Sequence, residues 1–520
     1  MRTRRSLGEG GIKRLLIANR GEIAVRIIRA CRELGIETVA IYSDADATAP
    51  HVRAADAAIR IGPPPARDSY LDVGKVIGAA RESGADAIHP GYGFLSERAH
   101  FARACEDAGL IFVGPASASL EKMGSKIGAR RLMIDAGVPV VPGETPADQS
   151  DAALARAANS LGFPVLIKPS AGGGGIGMKK VWAANALVEA AGAARREAIA
   201  AVGDGTLYVE RLIEKPRHVE MQIVADAHGN TVHLFERECS VQRRHQKTIE
   251  ESPCVALSAG LRERMGAAAV AAARAIHYRN AGTVEFLLEG SGADARFYFL
   301  EMNTRLQVEH PVTECVTGVD LVHTQLLIAA GEPLPFTPAS VSQRGHAIEC
   351  RVYAEDPAQG FIPQAGPILL YKEPQGPGIR VDSGIAAHGE VSVHYDPMLA
   401  KVIVWAETRD AARHRALAAL RDYAILGIHT NIPFLLRILE HPQFIDATVD
   451  TGFLDREAQA IAGAAVTELP EAAMAALREH QRTIGTRGTT PLGTLGTVGT
   501  LGTQSPLSPE PFLTLGRWRG

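Results

Sequence analysis

Residues 14–42 read RLLIANRGEIAVRIIRACRELGIETVAIY, and the fold follows from this stretch. Residues 14–18, RLLIA, form a short apolar run of the kind that makes a buried strand. From Glu22 to Leu34 the apolar residues Ile23, Ile27, Ile28 and Leu34 recur at helical spacing. Residues 37–42, ETVAIY, make a second strand. Strand, helix and strand in such short order imply a parallel sheet with helices laid against it. The pattern goes on with a strand near 86–88, a helix near 97–107 and a strand at 110–113. A first α/β domain is therefore expected over 12–113, after a flexible N-terminus at 1–11 and before linker helices at 114–140.

A second unit is expected over 141–212. It holds a strand from Pro164 to Lys168, a glycine run, a helix near 184–200 and a strand at 206–209. From 213 to about 460 the chain is rich in alternating segments: HVEMQIVAD, TVHLFERE, TVEFLLE and RFYFLEMN. Alternation with period two marks antiparallel strands with one buried face. The fold class expected is α/β and α+β multidomain: a parallel N-terminal domain, a lid and a C-terminal antiparallel sheet. From 461 to 520 a helical remnant gives way to GTRGTTPLGTLGTVGTLGT and a Pro/Ser segment. Such a stretch has no strand or helix period and too little apolar surface to order itself.

The bulk numbers narrow the function. A chain of 520 residues exceeds the roughly 250–300 that one core supports. Net charge is −3, with 46% hydrophobic and 22% charged residues, so no global charge points to nucleic acid or to a membrane surface. No apolar run approaches the ~20 residues that cross a bilayer, and MRTRRSLGEGG lacks the apolar stretch of a secretory signal. The six cysteines are scattered, with no C-x-x-C pair, which disfavours disulfides and zinc and fits a reducing cytoplasm.

Three features carry chemistry. Gly172, Gly173, Gly174, Gly175 and Gly177 follow the strand that ends in Lys168. Consecutive glycines let backbone N–H groups close round phosphate oxygens. The run fits G-x-G-x-x-G, but no acidic residue ends a second strand about 20 positions on, so a dinucleotide is disfavoured. Met178 stands where a P-loop has lysine. The second feature is a pair of carboxylates, Glu285 in VEFLL and Glu301 in FYFLEM, on two strands joined by the turn-rich GSGADA. A carboxylate among such apolar residues needs a partner or a cation. With the Asn303 amide they make a hard-oxygen set suited to Mg²⁺ or Mn²⁺. Two carboxylates on the solvent face of a half-buried sheet would look similar in composition. The third feature is a comb, Glu301, Asn303, Arg305, Gln307 and Glu309, whose alternate side chains would share one face of an extended chain. That face would run from metal ligands to a small-anion site beside a general base, near the basic cluster Gln242-Arg-Arg-His245-Gln-Lys247.

Longer motifs identify a family. IANRGEIAVRIIRA, HPGYGFLSE (89–97), IKPSAGGGGIGM (167–178), PRHVEMQ (216–222), ERECSVQRRHQK (236–247), EMNTRLQVEHPVTE (301–314) and IECRVYAEDP (348–357) occur in this order. Together they resemble biotin carboxylase, the ATP-grasp subunit of acetyl-CoA and other acyl-CoA carboxylases, from about residue 14 to about 457. The resemblance implies that Lys126 and Lys168 contact ATP phosphates under the Gly172–Gly175 lid. It implies that Glu210, Arg211, Leu212 and Ile213 form the adenine hinge, and that His218, Gln242 and His245 also contact nucleotide. Glu285, Glu301 and Asn303 match the metal ligands. Lys247, Arg305, Gln307 and the Val308 backbone match the bicarbonate site, Glu309 the base, and Arg351 the stabiliser of the biotin enolate. The implied reaction is ATP-dependent carboxylation of biotin through carboxyphosphate, with ATP, Mg²⁺ or Mn²⁺ and biotin required. A biotin carboxyl carrier protein, carboxyltransferase subunits and a homodimer are the implied partners.

One position departs from the family: Ile176 stands where a basic residue is usual, which removes a cationic phosphate contact from the lid. Another ATP-grasp ligase would share the nucleotide and metal residues, but RLQVEHPVTE and Arg351 favour the carboxylase. A non-catalytic nucleotide-binding subunit has only Ile176 in its favour. No Ala/Val-Met-Lys-Met biotinylation sequence occurs, so biotin is expected on a separate carrier. Deleting 483–520 is expected to leave activity and melting temperature nearly unchanged, since such a segment buries little. A fall of more than a few degrees by calorimetry would contradict this.

Overall fold

A computed structural model of the chain describes residues 11–170 and 177–463. The glycine run Gly172–Gly175, Ile176, residues 1–10 and the Gly/Thr-rich segment after 463 lie outside the described residues.

The N-terminal sheet is built from β1 (Arg14–Ile17), β2 (Glu37–Ser43), β3 (Ala57–Gly62), β4 (Ala87–His89) and β5 (Ile111–Phe112). Their order is β3-β2-β1-β4-β5, and all pairs are parallel. Between β1 and β2, α1 (Gly21–Leu34) buries Ile23, Ala24, Ile27 and Ile28 against the sheet. It stops at Gly35, whose φ of 74° suits a residue without Cβ. The strand pattern of the sequence misses β3. Ala57, Ala58 and Arg60 of this edge strand are exposed, so it lacks the apolar run that marks the inner strands.

The second unit is a four-stranded antiparallel sheet of β6 (Gly143–Glu144), β7 (Val165–Pro169), β8 (Lys179–Val181) and β9 (Leu207–Arg211), in the order β6-β9-β7-β8. Helix α2 (Leu187–Val202) covers it, so that Leu187, Ala191 and Ala194 meet Val165, Ile167, Leu207 and Val209.

The third sheet positions the site. It comprises β10 (Arg217–Ala225), β11 (Thr231–Arg243), β12 (Gln246–Ser252), β13 (Asn280–Glu289), β14 (Arg296–Asn303), β15 (His346–Tyr353), β16 (Ile379–Ser383) and β17 (Met398–Ala406). All neighbours in the order β14-β13-β10-β11-β12-β15-β17-β16 are antiparallel. The strands alternate in sequence because each has one face on helices. In β10, Val219, Met221 and Ile223 pack on α3 (Ala259–Ala275), through Leu261, Met265 and Ala269. In β15, Ile348 and Cys350 join the core that includes Ala412 and Ala416 of α4 (Arg409–Asp422). The intervening residues His218, Glu220, Gln222, Glu349 and Arg351 are left for the opposite face. No helix among the described residues is long and apolar enough to cross a membrane.

On the helical side a single ion cluster ties β12 to the C-terminal elements. Glu251 accepts from His346 Nε2 at 2.7 Å and from Arg409 at 2.6 and 3.0 Å. Arg409 also donates to the carbonyls of Phe444 and Ile445. Burial alone would raise the Glu251 carboxyl. His346 and Arg409 outweigh it and bring it down to about 2 from 4.5. A carboxyl depressed in the fold contributes stability above its unfolded value, and that contribution is lost as pH falls from about 4.5 to 2. Glu251→Gln is therefore expected to cost about 3 kcal/mol at neutral pH and to flatten the acid limb of stability against pH. Denaturant melts at pH 3, 5 and 7 measure both, and an unchanged acid limb would contradict the assignment.

Candidate active site

The polar face of the third sheet carries one charged row. Glu301 on β14 lies in register opposite Glu285 on β13, Glu285 opposite Glu220 on β10, and Glu220 opposite Arg237 on β11. Two residues along, Asn303, Thr283 and Gln222 make a parallel row. Three neighbouring carboxylates repel one another in a setting of low dielectric, so their charge must be balanced. Two cations do this. Arg237, fully buried, places all five guanidinium N–H donors: on Glu220 at 2.5 Å, Gln222 at 2.7 Å, Thr313 at 3.0 Å, Thr283 at 3.0 Å and Gln307 at 2.7 Å. Lys247 on β12 donates to Glu220 at 2.7 Å, Glu285 at 2.9 Å and Glu309 at 2.6 Å. Three acidic neighbours hold the Lys247 ammonium well above the ordinary lysine range, although burial works the other way.

The comb is not one extended strand. β14 ends at Asn303, and residues 304–309 turn into the helix His310–Thr317. Backbone donors must be satisfied as the ladder ends, and the Thr304 N–H goes to Glu97 of the HPGYGFLSE loop. The side chains converge through this turn instead of by strand alternation. Arg305 donates to Glu97 at 3.0 Å and to Asn303 Oδ1 at 2.9 Å. Gln307 gives its amide N–H to Glu285 at 2.8 Å and accepts from Arg237. The Val308 carbonyl accepts from Lys401 at 2.8 Å. Glu309 is held between Lys247 and Arg351, the latter at 2.9 Å. Burial would raise its carboxyl; Lys247 and Arg351 keep it well below the usual carboxylate range.

A second cluster lies toward the lid. Lys168 at the end of β7 pairs with Glu210 on β9, both buried. Lys126 opens the helix Lys126–Asp135, close enough to Glu301, Lys168 and Glu210 to feel their charges; burial pulls its ammonium down. Glu301 is exposed, and partial desolvation together with Glu285 opposite raises its carboxyl. It makes no hydrogen bond among the described residues, and Glu285 Oε2 faces His218 Nε2 at 3.1 Å. An unpaired anion opposite a second carboxylate and beside the Asn303 oxygen fits a divalent cation. His218, Glu220 and Glu285 also bring ligand atoms within 4.8 Å of one another.

The remaining residues are less closely joined. Arg211 turns to Glu289, at 2.7 and 2.8 Å, and to Tyr298, while the backbone N–H groups of Arg211 and Leu212 donate to the carbonyls of Pro142 and Pro164. Leu212 and Ile213 are buried. Gln242 lies in register opposite Lys247 and donates to the Cys239 carbonyl. His245 stands exposed at the tip of the β11–β12 hairpin, with φ of 66°. Residue-by-residue reading of the sequence gave no role to Glu97, Glu220, Arg237, Glu250 or Lys401. For Glu220 and Lys401 the signal was a charged residue inside a largely apolar strand, HVEMQIVA and MLAKVIVWA; Glu97 lies in a loop, and Arg237 and Glu250 stand among other charged residues, so the pattern did not single them out.

Comparison with known proteins follows this geometry. The biotin carboxylase N-terminal domain matches residues 11–120, the ATP-binding domain of the carbamoyl-phosphate synthase L chain residues 125–337, and the biotin carboxylase C-terminal domain residues 349–456. The chain is 52% identical over 442 residues to a biotin carboxylase of Halalkalibacterium halodurans, covering 85% of this chain and 97% of that one. It is 51% identical over 444 residues to the mitochondrial methylcrotonoyl-CoA carboxylase subunit alpha of Glycine max, and there the match spans 85% of this chain and only 60% of the relative. The biotin carboxylase domain of the Hydrogenobacter thermophilus 2-oxoglutarate carboxylase, solved as a dimer with MgADP, ADP and bicarbonate, superposes with a TM-score of 0.83 at 45% identity, covering 88% of this chain and 99% of that one.

Removing the buried guanidinium should be severe. Arg237→Met takes from Glu220 one of its two cationic partners and leaves the Gln222 and Gln307 side-chain oxygens without their donor, at an expected cost of about 3–5 kcal/mol. Urea melts test this, and a loss under 1 kcal/mol would show that Arg237 does not hold the row together.

Proposed function

The chain belongs to the biotin carboxylase family, and we propose that it spends ATP to carboxylate biotin with bicarbonate, the biotin being carried on a separate protein. The observation that carries the reading is Glu309: a buried carboxylate clamped between Lys247 and Arg351, at the anion end of a face whose other end offers Glu285 and Glu301 to a cation.

The assignments follow the chemistry of each group. Bicarbonate is received by Lys247, Arg305, Gln307 and the Val308 backbone, where cations and amides replace its water. Glu309 removes its proton. In the resting site the two cations make Glu309 a weak base, and each one that turns toward a substrate restores proton affinity to it. Lys126 and Lys168 receive the phosphates of ATP, with the backbone of 210–213 along the adenine. Glu285, Glu301 and Asn303 would hold Mg²⁺ or Mn²⁺, which when bound neutralises phosphate charge. A bicarbonate oxygen displaces ADP from the γ-phosphorus and gives carboxyphosphate. This breaks down to CO₂ and phosphate; the phosphate takes the ureido N–H proton of biotin, and that nitrogen, faced by Arg351, bonds to the CO₂. Enclosure protects the unstable intermediate from water. A carrier protein and a carboxyltransferase supply the rest of the cycle, and two copies of the chain pair. The relatives differ in acceptor, so the family supports the biotin half-reaction and leaves the acceptor open.

Glu309→Gln should still bind Mg-ATP but lose at least a hundredfold in bicarbonate-dependent ATP hydrolysis, in line with general-base contributions of about 10²–10⁴. Arg351→Ala should mainly lower transfer to biotin. Labelled-bicarbonate fixation onto free biotin measures the whole reaction; its absence in the wild-type protein, or a Glu309→Gln variant that keeps its ATPase, would overturn the proposal.

A further inference from the structure

Arg351 is gripped on two sides, and only one of its partners belongs to the reaction above. Its Nη2 reaches Glu309 at 2.9 Å, while Nε donates to Glu250 Oε1 at 2.5 Å and Nη2 also lies against that same oxygen. Glu250 sits on β12, in register opposite Glu349 on β15, two residues before Arg351 on the same face. On the far side of Arg351, Lys401 of β17 lies in register and reaches Glu22 at 3.1 Å and the Val308 carbonyl. Glu250, Glu349, Arg351 and Lys401 are all buried. Glu250 Oε2 and both oxygens of Glu349 have no hydrogen-bond partner. A carboxylate kept in so costly a place, with half its acceptors unused, has a use other than packing.

The two partners of Arg351 differ in what the reaction does to them. Glu309 gains a proton when it deprotonates bicarbonate, and its hold on the guanidinium then weakens. Glu250 touches no substrate position and keeps its grip on Nε throughout. We infer that Glu250 is the positioning residue for Arg351, fixing the Nε edge of the guanidinium so that its outer edge faces biotin after Glu309 has taken its proton. Burial pushes Glu349 well above the usual carboxyl range, which Lys401 only partly offsets. Burial raises Glu250 as well, to about 7, against the pull of Arg351. Lys247, Glu309 and Glu349 also act on it or face it from neighbouring strands, as do Cys239, Cys350 and Tyr353.

The inference rests on Arg351 serving biotin, and the test separates the two. Glu250→Gln, Glu250→Asp and Arg351→Ala are compared with the full-length wild type on free biotin, Mg-ATP and bicarbonate. Biotin carboxylation is followed beside ATP hydrolysis without biotin. Glu250→Gln should lower kcat/KM for biotin tenfold or more while biotin-independent hydrolysis stays within twofold, and Glu250→Asp should recover part of the loss. An equal fall in both activities, or no fall in either, overturns the inference. If Glu250→Gln does not fold, Glu250→Asp decides by the same split at smaller amplitude. If Arg351→Ala itself spares the biotin step, the reading of Arg351 fails, and the role of Glu250 with it. If Arg351→Ala is impaired with biotin and the Glu250 variants are not, only the inference fails.

Discussion

Three carboxylates on adjacent strands of one sheet face repel unless cations are set between them, and the geometry of the site follows from that constraint. Glu301, Glu285 and Glu220 are brought side by side by the register of β14, β13 and β10. Arg237 and Lys247 answer them from β11 and β12. A guanidinium with five directed donors fixes what it touches, and Arg237 directs them to two strands, a loop and a helix at once. Lys247 is a point charge with fewer directional demands. It is the cation better suited to moving from carboxylate to substrate, and it sits where the small anion would arrive.

The network divides in two. Toward the lid, Lys126, Lys168, Glu210 and Glu301 surround an open cleft. Toward the centre of the sheet, Gln307, Glu309 and Arg351 are buried, and Lys247 is half-buried beside them. The open half suits a large polyanion that enters and leaves, and the closed half suits chemistry on an intermediate that water would destroy. Glu285 touches both, through Lys247 and Gln307 on one side and its position opposite Glu301 on the other. A change in charge near Glu301 would therefore reach Glu309 through Glu285 and Lys247.

Much of this was legible in the chain. The strand–helix–strand opening gave the parallel domain, and the period-two segments gave the antiparallel sheet, because burial of one face leaves a regular trace in hydrophobicity. Glu285 and Glu301 stood out as charges among apolar residues, and the hairpin between them made their pairing foreseeable. The edge strand β3 was missed because an edge strand with exposed residues leaves no such trace. The continuation of β14 through residue 309 was also misjudged. Alternation of polar residues looks the same in a strand and in a turn that converges them.

By itself the sequence determined which residue types are present, their alternation, and the motif order that marks the family. It could not say that Glu220 faces Glu285 or that Glu250 lies behind Arg351. Those pairings join residues dozens of positions apart, and strand register and sheet order set them. Nor could it say which carboxyls stay charged. Protonation depends on the distance to a buried cation and on exclusion of water, and both exist only once the sheet has closed over its polar face.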